Sequence, residues 1–159
     1  MNITVPKKTM ILFVGIQASG KTSFYRENFP DMVHVNLDEL HTRNRERGLI
    51  DDCLDRGESF VVDNTNPTAK DRAGYIAKAK ANGFHVYGFY FQSSIADCID
   101  RNSRREGKAQ IPQGAIAHTH RILEMPTYAE GFERLFYVHM EVKSFAVEDW
   151  EETEEGNEI

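Results

Sequence analysis

The chain has 159 residues, 40% hydrophobic and 28% charged, which fits one globular domain large enough to bury a core. Its apolar run from Met10 to Ile16 is too short for a signal core or a membrane span, and Cys53 and Cys98 show neither metal-like spacing nor a disulfide framework, so a cytoplasmic protein is expected. The net charge of −6 is concentrated: seven of the 25 acidic residues fall in the last twelve positions, leaving 19 Lys and Arg against 18 acids in residues 1–147 and no broad basic footprint for duplex nucleic acid.

Short apolar runs rich in β-branched and aromatic residues alternate with helical patterns along the chain. "TMILFV" (9–14) reads as a strand and "GKTSFYREN" as a helix; "MVHVN" (32–36) is the second strand. "DELHTRNRERGLIDDCLDRG" reads as one helix, with Gly57 as its stop. "SFVVD" (59–63) is the third strand, and Asn66 before Pro67 reads as the cap of the next helix, "PTAKDRAGYIAKAKANG". "FHVYGFYF" (84–91) precedes helical patterns in "SIADCIDRNSRRE" and "PQGAIAHTHRILE", and "RLFYVHMEV" (134–142) is the last strand. Such alternation implies an α/β fold with a parallel sheet covered on both faces and ligands beyond the carboxyl ends of its strands. One domain over 1–147 is expected, followed by an acidic, disordered tail over 148–159; an interaction role stays open for the tail, with Trp150 as its anchor.

Gly15-Ile-Gln-Ala-Ser-Gly20-Lys21-Thr22 matches G-x-x-x-x-G-K-[ST] in full, after a strand and before a helix. The glycines let consecutive N–H groups turn around an anion, and the helix adds its positive end. Gly15, Ala18, Ser19, Gly20, Lys21, Thr22 and Ser23 are the expected contacts of a nucleoside triphosphate. Lys21 would reach the β- and γ-phosphates, and the Thr22 hydroxyl would ligate Mg²⁺.

A second set of residues bears on what accepts the phosphoryl group. Asp38 stands at a helix start, beyond a strand expected to flank the first. It suits a general base for a substrate hydroxyl and equally a helix cap. At i, i+3 and i+7, Asp38, His41 and Arg45 are expected to share one face, and Arg43 and Arg47 another; Arg45 beside the carboxylate suits an acceptor that carries negative charge. Asp63 ends an apolar strand, the usual place for a carboxylate acting near Mg²⁺ through water, and Asn64 follows it as a candidate substrate contact. The cluster Arg101, Arg104, Arg105 and Lys108 reads as a basic lid, with Arg101 and Arg105 on one helix face. His85, His118, His120 and His139 form no ligand pattern.

Taken in order, the Gly15–Thr22 loop, "VNLDEL", "VVDNTNPTAKDRAGYI", "RNSRREGKAQIP" and "EMPTYAEGF" resemble the polynucleotide 5′-hydroxyl kinase family, over nearly all of residues 9–140. The resemblance implies the three-layer P-loop kinase fold with five parallel strands, and ATP and Mg²⁺ held by Lys21 and Thr22. It makes Asp38 the carboxylate that activates the 5′-hydroxyl and Arg105 the lid arginine on the transferring group. Two positions depart from the family: Leu37 and His41 stand where Arg is usual, and Arg45 is expected to compensate. The acceptor implied is the 5′-OH of RNA or DNA, as a short single strand or a terminal nucleotide, with any ligase or phosphatase as a separate partner. A kinase of a nucleoside, nucleotide or sugar derivative is the alternative, and a nucleotide-dependent switch without an acceptor is a third.

Overall fold

A computed structural model of the chain describes residues 3–92, 94–107, 110–141 and 144–151. In chain order its elements are β1 (Thr9–Val14), α1 (Lys21–Asn28), β2 (Val33–Val35), α2 (Leu37–Leu40), α3 (Arg43–Arg56), β3 (Phe60–Val62), α4 (Ala69–Ala81), β4 (His85–Phe91), α5 (Ile95–Ser103), α6 (Gln113–Ile122), β5 (Arg134–Glu141) and β6 (Ser144–Asp149). They form the expected three-layer α/β fold. The sheet order is β2-β3-β1-β4-β5-β6, parallel throughout except for β6.

All six residues of β1 are buried, because a central parallel strand is covered on both faces. Met10, Leu12 and Val14 pack with Ile50 and Leu54 of α3 and Ile76 and Ala79 of α4. Ile11 and Phe13 point the other way, to Phe24 of α1 and to Phe89 and Phe91. Right-handed crossovers produce this split: the chain moves from β1 out to β2 under α1, then returns across the sheet through α3 and α4. The return puts the loop after β1, the end of β3 and the starts of α2, α3 and α4 at one edge.

Five expectations are corrected. The sheet has six strands, because "SFAVED" pairs antiparallel with β5 from Glu141↔Ser144 to Phe136↔Asp149. Glu148 and Asp149 therefore lie in a strand, and Trp150, 3% exposed, packs against Tyr90 and donates its backbone N–H to Leu135 O at 2.9 Å. The assigned tail thus begins too early; an edge strand tolerates acids on its open side, which hides it in a charge count. Residues 152–159 lie outside the described residues. Strand β2 is at the sheet edge, with β3 between it and β1. The single helix expected from Asp38 to Gly57 is two: His41 turns left-handed at φ 71°, and the Thr42 side chain accepts from Arg45 N–H at 3.1 Å to start α3 afresh. Finally, Asn66 does not cap α4; Thr68 does, in a capping box with Asp71.

Arg72 of α4 is fully buried. Its guanidinium donates to both Glu130 oxygens (2.7 and 3.1 Å) and to the carbonyls of Asn66 (2.9 Å) and Glu124 (3.1 Å). Glu130 in turn accepts from Thr127 N–H at 2.8 Å. "EMPTYAEGF" is therefore a turn that anchors the strand-end segment 64–67 from behind. Arg72→Ala is expected to destabilise the fold by about 3–5 kcal/mol, since it leaves the Glu130 carboxylate without its partner; the midpoint of denaturant unfolding measures this.

Candidate active site

Backbone at the loop after β1 is left-handed at Ala18 (φ 63°) and Gly20 (φ 95°), the kind of backbone that turns amides toward an anion. Gly15 has a steric reason: a Cβ there would lie 2.9 Å from Ser19 Oγ and 3.0 Å from Phe91 Cβ. Gly15 N–H donates to Thr65 O at 3.0 Å, tying the loop to the end of β3. From outside, Arg101 of α5 donates to Ala18 O at 2.7 Å. Lys21 is buried, and its Nζ donates to Gly15 O (3.0 Å) and Ile16 O (2.8 Å). Burial pushes its pKa down to about 8, against the opposing charge of Asp63.

The segment Asp63-Asn64-Thr65-Asn66-Pro67 uses each residue to hold the site. Asp63 Oδ2 accepts from Thr22 Oγ1 at 2.7 Å and lies 2.7 Å from His34 Nε2. Asn64 Oδ1 accepts from Leu37 N–H at 3.0 Å, at the start of α2. Thr65 receives Gly15, Asn66 donates its carboxamide to Phe13 O at 2.8 Å, and Pro67 O accepts from Glu124 N–H at 2.7 Å. His34 also pairs with Glu39 and stacks on Tyr25 at 4.0 Å. Burial disfavours its charged form, but the bonds and charges of Asp63 and Glu39 outweigh this and raise its pKa.

A cavity of about 780 Å³ opens over these groups. It brings together Ala18, Gly20, Lys21, Thr22, Ser23, Asp38, Asp63, Asn64 and Arg105 from four separate stretches of chain. The charges of Asp63, Arg105 and Asp38 all act on Lys21. Thr22 Oγ1 and Asp63 Oδ2 are adjacent hard oxygen donors, a set that fits Mg²⁺ completed by water. The helix-cap alternative for Asp38 is already filled, since the Asn36 side chain caps α2 by accepting from Glu39 N–H at 3.2 Å.

Comparison with known proteins adds the lineage. Residues 10–126 match the family AAA_33, described as an AAA domain. The chain belongs to this family. It is 30% identical over 138 residues, 81% of its length, to a "putative bifunctional polynucleotide phosphatase/kinase" of Acanthamoeba polyphaga mimivirus. It is 28% identical over 149 residues, 91% of its length, to the "bifunctional polynucleotide phosphatase/kinase" of Schizosaccharomyces pombe. The chain spans about a third of each relative, 32% and 36% respectively. Among solved structures it is similar to Chaetomium thermophilum Kti12 in complex with ADP-AlF3, with a TM-score of 0.65 and 14% identity, covering 82% of this chain and 88% of that one. The resemblance to polynucleotide kinases thus holds, and the chain is a P-loop kinase-like domain.

Within this AAA domain the broken helix rearranges the α3–α4 side of the cavity. His41 and Arg45 are exposed and stay off the cavity wall, whereas Arg43 and Arg47 line it. Asp38 and Arg45 do not share a face, because the turn at His41 interrupts the helical register. The cavity wall is instead built from positions 43, 46, 47 and 50 of α3 and 71, 74, 75 and 78 of α4, each at i, i+3, i+4 and i+7. Arg101 lies behind the loop, beside a smaller pocket of about 100 Å³ that it shares with Ser19. Gly15 is not on the large cavity's wall either. Lys108 lies outside the described residues, and Asn102 fastens the segment after α5 by exchanging bonds with Ile111 N–H (2.7 Å) and Ile111 O (2.5 Å).

His34, Glu46 and Tyr75 carry no sequence signal of their own. Glu46 is 5% exposed and accepts from Asn64 Nδ2 (2.8 Å), Tyr75 OH (2.8 Å) and Arg43 Nη1 (3.1 Å). Burial and that bond push the Tyr75 hydroxyl up to about 12. The one available hint was helical spacing: Glu46 lies three residues from Arg43, the partner it holds. Among the described residues no group of three or more His, Cys, Asp and Glu could hold a metal, and no helix is long and apolar enough to cross a membrane.

Proposed function

We propose that the domain transfers the γ-phosphate of ATP to a hydroxyl, the 5′-OH end of RNA or DNA, with Mg²⁺ as cofactor. The observation that carries the reading is the convergence of Lys21, Thr22, Asp63, Asp38 and Arg105 on one cavity. The names of the relatives favour a polynucleotide acceptor, and the family match over residues 10–126 includes the P-loop. Thr22 and Asp63 would hold Mg²⁺, which neutralises charge on the β- and γ-phosphates when bound. Lys21 exchanges its bonds to the Gly15 and Ile16 carbonyls for phosphate oxygens. Asp38 accepts the proton of the attacking hydroxyl as the new O–P bond forms and the bond from the γ-phosphorus to its bridging oxygen breaks, releasing ADP. Arg105 stabilises the charge on the transferring group.

The test is incubation with labelled ATP and a panel of 5′-OH oligonucleotides, nucleosides and sugars. Label on oligonucleotide ends is the expected result. Label confined to small molecules would point to a small-molecule kinase, and label on none to a switch. Arg47, on the cavity wall where Arg45 is not, is assigned to a phosphate of the acceptor. Arg47→Ala is expected to raise the oligonucleotide KM by about tenfold with a smaller change in kcat, and to reduce the salt slope of binding by about one.

A further inference from the structure

We infer that Glu46 is a positioning residue for Asp38, acting through Asn64; the inference rests on reading Asp38 as the general base. The two Glu46 oxygens receive donors from three elements: Arg43 of α3, Tyr75 of α4, and Asn64 at the end of β3. With its Nδ2 held by Glu46 at 2.8 Å, Asn64 turns its Oδ1 toward Leu37 N–H. Leu37 immediately precedes Asp38 and opens α2, a single turn. The Asn36 side chain also holds the start of that turn, its carboxamide donating to Asp63 O at 2.7 Å and accepting from Glu39 N–H at 3.2 Å. Removing the Glu46 carboxylate lets the Asn64 carboxamide flip, and its NH₂ end cannot accept from Leu37.

Stability alone gives little reason for this carboxylate. It is buried opposite a guanidinium whose side chain is 65% exposed, and an apolar replacement of similar volume is often as stable as such a pair. Its place on the cavity wall, bonded to Tyr75 across the gap between α3 and α4, gives it a positional reason instead. An acceptor entering that gap meets the same bonds that orient α2.

A double-mutant cycle on the whole chain tests this, with labelled ATP and saturating 5′-OH oligonucleotide. Glu46→Ala is expected to lower kcat by about 10- to 100-fold, the scale of a ~1 Å misplacement. In an Asp38→Asn background the same substitution is expected to cost less than about threefold, because no base remains to be positioned. Glu46→Gln, which can still accept from Asn64, is expected to hold kcat within about fivefold of wild type. Asn64→Leu keeps the approximate shape but removes the acceptor of Leu37 N–H, and is expected to reproduce the Glu46→Ala pattern, which decides the matter even if Glu46→Ala unfolds. Penalties that multiply independently in the cycle, or a wild-type kcat in both Glu46→Ala and Asn64→Leu, would overturn the inference and leave Asp38 as the base. A wild-type rate in Asp38→Asn alone would remove the base assignment itself, and the positioning role with it.

Discussion

Asp38→Asn is expected to lower phosphoryl transfer by about 10²- to 10⁴-fold while nucleotide affinity stays within about threefold of wild type. The carboxylate lines the same cavity as Lys21, and its charge acts on that ammonium. Asparagine keeps its size and its compatibility with a helix start but cannot take a proton from an attacking alcohol. Because Asn36 already caps α2, the substitution removes no cap, and the expected stability change is small. Single-turnover transfer to a 5′-OH oligonucleotide, measured alongside calorimetric nucleotide binding, separates the two effects. Equal losses in binding and transfer would show that Asp38 supports the fold and does no chemistry.

Lys21→Ala is expected to reduce kcat by about 10²- to 10³-fold and to weaken nucleotide binding as well. Both effects follow from where the ammonium sits. It is buried within the loop and bonded to the carbonyls of Gly15 and Ile16, so the substitution removes the cation that would meet the phosphates and strips two backbone acceptors of their donor. Lys21→Arg is not expected to rescue, since a planar guanidinium does not fit a space shaped around three tetrahedral donors. Steady-state kinetics on both variants check this, and ordinary turnover in Lys21→Ala would end the assignment of the loop as a phosphate cradle.

The bonds that hold the site differ greatly in sequence separation, and that governs how much of it can be read from the chain. Lys21 reaches Gly15 across six residues, and the loop's left-handed turns at Ala18 and Gly20 depend on neighbouring residues alone. A consecutive pattern can encode such a feature, and it did. Thr22 meets Asp63 across 41 residues, yet this pairing was also legible, because a strand end and a helix start are each recognisable and a parallel sheet brings them to one edge. The link from Glu46 to Tyr75 spans 29 residues between two helices, and the link from Arg72 to Glu130 spans 58. Neither has a local marker, since a charged residue on a helix looks the same whether it ends in a network or in water.

One local signal was present and carried too little weight. Thr42 is a good capping residue inside an otherwise continuous helical pattern, and its bond to Arg45 N–H splits that pattern in two. The split moved Arg45 off the cavity wall, where Arg43 and Arg47 stand. Similarly, the acids of 148–159 dominated a compositional reading of the tail, although Phe145 and Val147 alternate toward one face of the sheet and Trp150 packs into the core on the other.

By itself the sequence determined the strand–loop–helix cradle, the alternation that makes a parallel sheet, and the identity of the carboxylates at the strand ends, because each depends on residues close together in the chain. Only the tertiary structure decided which cations line the α3–α4 side of the cavity, that Glu46 and Tyr75 join α3 to α4 there, and that Arg72 braces the strand-end segment from behind. Those choices depend on where one helix ends and how two others pack, and such distances are set by the folded core.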